Sequence, residues 1–346
     1  MSLPEFELTS ALEASEPPEA RGLARDQVRL MVANRSSESI VHTRFAELPR
    51  YLRPGDLLVI NNSATLPAAV AARRGDGAPI EVRFATRAPR RASTDLFVVE
   101  LRSAGGELPL STGRPGEQLR LSGGAGLELL IPYAGRGRLW LARLHTPEHL
   151  HAYLARHGHP IRYGYVPEPW PLSAYQTVYA SVPGSAEMPS AGRPFTPTLL
   201  TQLVAGGTLI APLTLHTGVS SPERHEPPYP EQYEVPAVTA RLVNAVRGWG
   251  GRIIAIGTTV VRALETVAAP DGTVRAGSGW TNLVISADRG PRTVDGLLTG
   301  WHEPLASHLQ MLEAIAGEGL VRSCYTSALA RGYLWHEFGD SHLILP

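Results

Sequence analysis

Arg252-Ile253-Ile254-Ala255-Ile256-Gly257-Thr258-Thr259-Val260-Val261-Arg262-Ala263-Leu264-Glu265 decides how the chain is read. An apolar run suited to a buried strand breaks at Gly257, and apolar residues then return with helical spacing. The segment therefore predicts strand, tight turn and helix. Gly257 lets backbone approach a ligand closely, and Thr258 or Thr259 is placed to cap a helix whose free N–H groups face the same point. Open α/β sheets bind ligands in crevices at such strand ends. Arg262 and Glu265, three residues apart, put a cation and a carboxylate on one helix face beside that mouth. The same pattern also fits a plain strand-to-helix connection with a surface ion pair.

Outward from this unit the texture changes twice. Strand-like runs at Val28–Val32 and Leu57–Ile60 flank a short amphipathic stretch around Phe45, Leu48 and Leu52. From about Leu66 to Leu144 helical spacing disappears. Ile80, Val82 and Phe84 alternate with Glu81 and Arg83, and short apolar runs at 96–101, 127–131 and 139–144 are separated by glycines. This predicts a small antiparallel barrel or sandwich, inserted at residues 66–145. Residues 1–65 and 146–346 then form a layered α/β domain, because strands and helices alternate again after the insert. Thr146-Pro147 and Thr196-Pro197 both read as a capping threonine before proline at the first helical position. Further strands are expected at Thr208–Leu215 and near Leu283–Ile285, and two helical stretches close the chain.

Composition narrows the chemistry. The 346 residues are 43% hydrophobic, enough for a large core, and they contain no lysine, so all 32 basic residues are arginine. That excludes a Walker-type phosphate-loop lysine and any Schiff base on lysine. The single cysteine, Cys324, excludes internal disulfides and cysteine-built metal sites. The absence of a bilayer-length apolar run, and of a basic, apolar start, predicts a soluble protein of the cytoplasm. With zero formal net charge, a nucleic-acid partner would need a local arginine patch.

Four loops carry further candidate chemistry. Tyr175–Tyr179 runs into a small-residue loop, Gly184-Ser185-Ala186-Glu187-Met188-Pro189-Ser190-Ala191-Gly192, able to wrap a ligand with N–H groups and hydroxyls. Thr214-Leu215-His216-Thr217-Gly218 puts a histidine at a strand end, suited to acid–base work. An acidic stretch follows, from Glu223 through Glu231 to Glu234. Trp301-His302-Glu303-Pro304 precedes a helix, and Phe338-Gly339-Asp340 lies near the end of the chain. His145 and His149 are four apart, but the helix is expected to start between them, so no metal site is read.

These segments, together with Arg25-Asp26, Pro54–Val59 with Asn61, Ala276–Thr281 and Val294-Asp295, keep one order and spacing from about Arg25 to Leu345. In that arrangement the chain resembles the S-adenosylmethionine:tRNA ribosyltransferase-isomerase family of queuosine biosynthesis. The resemblance implies an α/β domain interrupted by a β-barrel. It also implies transfer of the ribosyl part of S-adenosylmethionine to the aminomethyl group of a 7-deazaguanine in tRNA, giving an epoxycyclopentane while adenine and methionine leave. Such chemistry calls for a base at the carbon beside the sulfonium, a donor for departing adenine, and groups for the methionine carboxylate and amine; no metal is needed.

On that resemblance His216 is the first choice for the base, with His302 and Asp340 next, and Glu231 orients the base or the amine. S-adenosylmethionine and the nucleobase are assigned to Arg25, Asp26, Asn61, Ser63, Ser185, Pro189, Ser190 and Gly192. The mouth of the helix adds Gly257, Thr258, Thr259 and Glu265, with Arg262 as the cation for a carboxylate. Arg83, Arg87, Arg90 and Arg91 form a phosphate patch for RNA. The chain departs from the family pattern at Ser220-Ser221-Pro222, where the family has Gly-Thr-Phe. It departs again at Glu226–Glu231, where two histidines are replaced and only the final glutamate is kept. With those changes the acceptor is either tRNA or a small molecule handled on the same scaffold, or the scaffold binds without catalysis.

Overall fold

A computed structural model describes residues 6, 8–89, 93–133, 137–219, 229–303 and 308–346. The chain enters through β1 (Arg29–Asn34), β2 (Ser39–Arg44), β3 (Leu57–Asn61) and the short β4 (Ser63–Thr65). Six strands follow, β5 (Ala69–Arg73), β6 (Pro79–Arg87), β7 (Leu96–Ser103), β8 (Gln118–Leu121), β9 (Gly126–Pro132) and β10 (Leu139–His145). They close into an antiparallel barrel in the order β10-β7-β6-β5-β8-β9. Closure leaves no free edge, and alternate residues such as Val70, Val82, Val99 and Leu127 fill the interior.

After the barrel come α1 (Leu150–His157), β11 (Val182–Ser185), α2 (Pro197–Ala205), β12 (Leu209–Leu215), β13 (Glu231–Val235) and α3 (Ala237–Gly248). The chain ends with β14 (Ile253–Ile256), α4 (Thr258–Val267), β15 (Gly277–Thr281), β16 (Gly296–Gly300), α5 (His308–Ala316), α6 (Glu318–Ala330) and β17 (Ser341–Leu345). Nine strands form one mixed sheet, β15-β13-β12-β3-β14-β16-β17-β1-β2, in which β12, β3, β14 and β16 run parallel. Period-two alternation sends Leu57, Val59, Ile253 and Ala255 to a face covered by α3 to α6. Leu58, Ile60, Ile254 and Ile256 face the other side, packed under Phe195 and Leu199. Each such side chain, fully buried, contributes about 1.5–3 kcal/mol, so both faces hold the sheet.

The α/β class with a β-barrel is as the sequence predicts, and the strand–turn–helix unit is β14, Gly257 and α4. Several local expectations are corrected. Gly257 itself is the N-cap of α4, at φ 98°, and no threonine side chain caps the helix. Helix α1 starts at Leu150 with His149 as N-cap, so Thr146-Pro147 precedes the helix. No strand forms at Leu283–Ile285; β15 and β16 flank that stretch instead. Thr196 does cap α2, accepting from Leu199 N–H at 3.1 Å with Pro197 at the first helical position.

Candidate active site at the carboxyl edge of the sheet

Because β3, β12 and β14 are parallel, their carboxyl ends bring Asn61, His216 and Gly257 to one edge. Asn61 stitches these ends together. Its Oδ1 accepts from Ser63 N–H (3.1 Å) and Leu215 N–H (3.0 Å), and its Nδ2 donates to Leu215 C=O (2.8 Å) and Thr259 Oγ1 (3.3 Å). All of its amide atoms are thereby spent on backbone and on α4, so Asn61 fixes the edge and has no donor left for a nucleobase.

The short parallel pair of β4 and β11 carries Ser63 to Ser185, whose hydroxyl oxygens lie 2.6 Å apart. Ser63 Oγ also lies 2.7 Å from His216 Nδ1, and Ser185 Oγ accepts from Thr217 N–H at 3.0 Å. Both serines are fully buried. The chain Ser185–Ser63–His216 fixes the imidazole ring, while Nε2 has no hydrogen-bond partner among the described residues. Gly184 makes room for the ring: a Cβ there would lie 2.5 Å from His216 Nδ1 and Cε1. Burial pushes the His216 pKa down to about 4, so the ring is neutral at pH 7. A neutral ring that donates Nδ1–H to Ser63 leaves Nε2 as an acceptor, the form a base requires.

Over the mouth of α4 lies the turn Ser190–Gly192. A Cβ on Gly257 would sit 3.4 Å from Ala191 Cβ, and the positive φ of Gly257 would strain any other residue. Pro189 and Gly192 are buried within this turn, joined by Gly192 N–H to Pro189 C=O at 3.2 Å. Ser190 also lines a narrow depression with Arg25, Arg193, Glu337 and Asp340. Arg25 there donates to Gln176 C=O at 3.0 Å and to Glu19 at 3.3 Å. Asp26 accepts from Thr196 Oγ1 at 3.1 Å and so braces the α2 cap.

The charged residues behave differently from the expectation. Arg262 is buried and bonded to the Glu231 carboxylate, with further bonds to the carbonyls of Leu283 (3.2 Å), Thr281 (3.2 Å) and Tyr229 (3.3 Å). It is a cross-link between α4 and β15, and its charge is already answered. Glu231 in turn accepts from Gly218 N–H at 3.1 Å, beside the His216 loop; burial, opposed by Arg262, raises its pKa. Glu265 accepts the backbone N–H groups of Arg292, Thr293 and Val294, so it anchors the approach to β16 and does not reach the mouth. Asp340 accepts from Arg29 N–H (2.8 Å), Arg29 Nε (3.0 Å) and Leu334 N–H (2.8 Å); its carboxylate is a clamp, not a free base.

His302 follows the carboxyl end of β16, the parallel neighbour of β14. Its Nε2 meets Thr299 Oγ1 at 2.8 Å and its ring stacks on His308 with centroids 4.6 Å apart. Burial holds its pKa well below 6.5. It shares no hydrogen bond with the Ser63–His216 chain among the described residues.

In the barrel, Arg83 is corrected: it is buried, bonded to Glu81 at 2.7 Å and to the carbonyls of Gly106 and Arg162. It cannot serve as a surface phosphate contact. Arg87 is exposed at the end of β6. Arg90 and Arg91 lie outside the described residues, as do Ser220–Pro222 and Glu226. No group of three or more His, Cys, Asp or Glu among the described residues is arranged to hold a metal, and no helix among them is long and apolar enough to cross a membrane.

Two residues of this edge escaped the sequence-based site. Gly184, adjacent to Ser185, has its signal in the small-residue loop; Glu337 has none, since its burial, which raises its pKa to about 7, and its bond from Tyr165 Oη at 2.8 Å exist only in the fold.

Comparisons with known proteins match nearly the whole chain. The family model described as queuosine biosynthesis protein matches residues 2–344. The S-adenosylmethionine:tRNA ribosyltransferase-isomerase of Symbiobacterium thermophilum is 37% identical over 357 residues, covering 99% of this chain and 98% of its own. That of Moorella thermoacetica is 37% identical over 355 residues with the same coverage. Among solved structures, the S-adenosylmethionine tRNA ribosyltransferase of Thermotoga maritima matches with a TM-score of 0.55 at 30% identity, covering 99% of this chain and 100% of that one. The chain therefore belongs to the S-adenosylmethionine:tRNA ribosyltransferase-isomerase family.

Proposed function

We propose that the protein transfers and isomerises the ribosyl part of S-adenosylmethionine onto 7-aminomethyl-7-deazaguanine in tRNA, releasing adenine and methionine. The observation that carries the reading is the end-to-end correspondence with relatives of that name, at 37% identity over nearly the full length of both chains. The local geometry supplies a reason. Proton removal beside the sulfonium needs a neutral base held in one orientation, and His216 is neutral, fixed through Nδ1 and open at Nε2. The N-terminus of α4, with Gly257 bare of a side chain, favours the negative end of a ligand such as the methionine carboxylate. With Arg262 committed to Glu231, that helix end takes over the part of fixed positive charge.

The test is incubation of the protein with S-adenosylmethionine, with and without tRNA carrying the aminomethyl base, following adenine and methionine by chromatography. Release only with that tRNA is expected. Release without RNA would move the reading to cleavage of S-adenosylmethionine with water as acceptor, and none in either case would overturn it.

A further inference from the structure

A cleft of about 800 Å³ lies outside the sheet edge, between the outer face of the barrel and the segment 159–175. Its size is that of ligand sites, which run about 300–1,000 Å³. Arg73 and Arg120 line it, and they stand directly opposite each other on the antiparallel strands β5 and β8. Like charges in that register repel. Neither has a carboxylate partner among the described residues, since the nearby Glu117 is taken by Arg74 in a two-pronged pair at 2.6 and 2.9 Å. Arg162, also lining the cleft, bonds only to carbonyls of its own loop. Glu81, the carboxylate on the wall, is held by the buried Arg83. The wall is therefore positive and uncompensated.

The partly exposed indole of Trp170 also lines the cleft, a flat aromatic face beside the arginines. The wall of the cleft is tied to the reacting edge: Thr65, two residues from Ser63, donates to Tyr175 C=O at 2.7 Å and exchanges bonds with the Gln176 side chain at 2.8 and 3.0 Å.

We infer that this cleft binds the RNA strand next to the reacting nucleotide, with phosphates against Arg73 and Arg120 and an unstacked base against Trp170. The inference rests on the tRNA reading above and adds a place to it. Phosphate contacts release counterions, and aromatic platforms take any base face, so the site contributes affinity more than sequence choice.

The experiment measures tRNA affinity by fluorescence anisotropy across a salt series for the whole protein and for the double variant R73E/R120E. Both residues are exposed, so the fold is expected to hold; R73Q/R120Q replaces it if the reversal unfolds. Affinity is expected to fall about 10- to 100-fold near 0.1 M salt, and the log–log salt slope to drop by roughly 1.4–1.8 for two phosphates. Trp170→Ala is expected to weaken binding at least about 5-fold, Trp170→Phe much less, and S-adenosylmethionine affinity to stay constant in all. Unchanged tRNA affinity and slope in the double variant, with the parent protein binding tRNA, would overturn the cleft. Adenine release by the parent protein separates the two ideas. Release with an unaffected double variant keeps the reaction and sinks the cleft; cleft-dependent binding without release does the reverse, and no tRNA binding by the parent sinks both.

Discussion

Two sets of polar side chains meet at the carboxyl edge of the sheet, and they differ in what they have left to give. The charged set, Arg262 with Glu231 and Asp340 with Arg29 at this edge and Glu265 with three backbone N–H groups at the other end of α4, where β16 begins, is closed on itself. The neutral set, Ser185, Ser63 and His216, ends at a ring nitrogen with no partner among the described residues. A buried charge must be answered by the fold before it can answer a ligand, whereas a hydroxyl chain can hold one imidazole in place and leave its far side free. The lesson is that at this edge the charges build the frame and the neutral groups are the ones left with an open position.

The sharpest way to break that division is to take the imidazole away. His216→Ala is expected to lower kcat about 10²–10⁴-fold, the range for loss of a positioned base, while stability by urea unfolding changes little. A variant that keeps its rate of adenine release would return the part of base to a charged residue. Glu265→Ala probes the other side of the comparison. Three N–H groups lose their acceptor, and the two that are buried, on Thr293 and Val294, cost about 1–3 kcal/mol each, so a loss of about 2–5 kcal/mol in unfolding free energy is expected. Wild-type stability in that variant would show that the charged set is not frame.

How much of this was legible in the chain follows from the kind of signal each part carries. Period-two alternation and the break at Gly257 disclosed β6, β14 and α4 because burial on a pleated or helical face leaves a repeating mark. Strands β4 and β11 leave none: Ser63-Ala64-Thr65 and Val182-Pro183-Gly184-Ser185 are too short and too polar to repeat, yet they bring Ser63 to Ser185. His216 was visible from its place at a strand end. The role of Arg262 was not, since its partner Glu231 lies 31 residues away and only the pairing of β13 with β15 draws the two together. Arg83 shows the same limit, for an arginine in an alternating strand reads as outward until a buried glutamate is found beside it.

A smaller effect is expected from crowding the ring without removing it. Gly184→Ala adds a methyl group 2.5 Å from the imidazole, so the ring must turn away from Ser63. The expected cost is about 10- to 100-fold in kcat, as for misplacement of a reacting group by about 1 Å, with KM for S-adenosylmethionine nearly unchanged. An unaltered kcat would mean that the orientation set by the serine chain does not matter.

The gentlest probe is pH, and here the sign separates the two sets. The folded His216 pKa, about 4, lies below the ordinary value of 6.5 because the buried ring resists charge. Between those values the unfolded chain holds the extra proton, so the contribution of His216 to stability is complete above about pH 6.5 and is lost as pH falls toward 4. His308 and His336, also lowered to about 4 by burial, act in the same direction. Urea midpoints are therefore expected to decline from pH 7 to pH 4, and His216→Gln is expected to make that decline shallower. Activity should behave differently: a base already neutral at pH 5 gives a rate profile flat through the ordinary histidine range, with its acid limb near pH 4. A limb near 6.5 in the parent protein would place His216 in water and dissolve the distinction between a closed charged frame and a buried neutral chain.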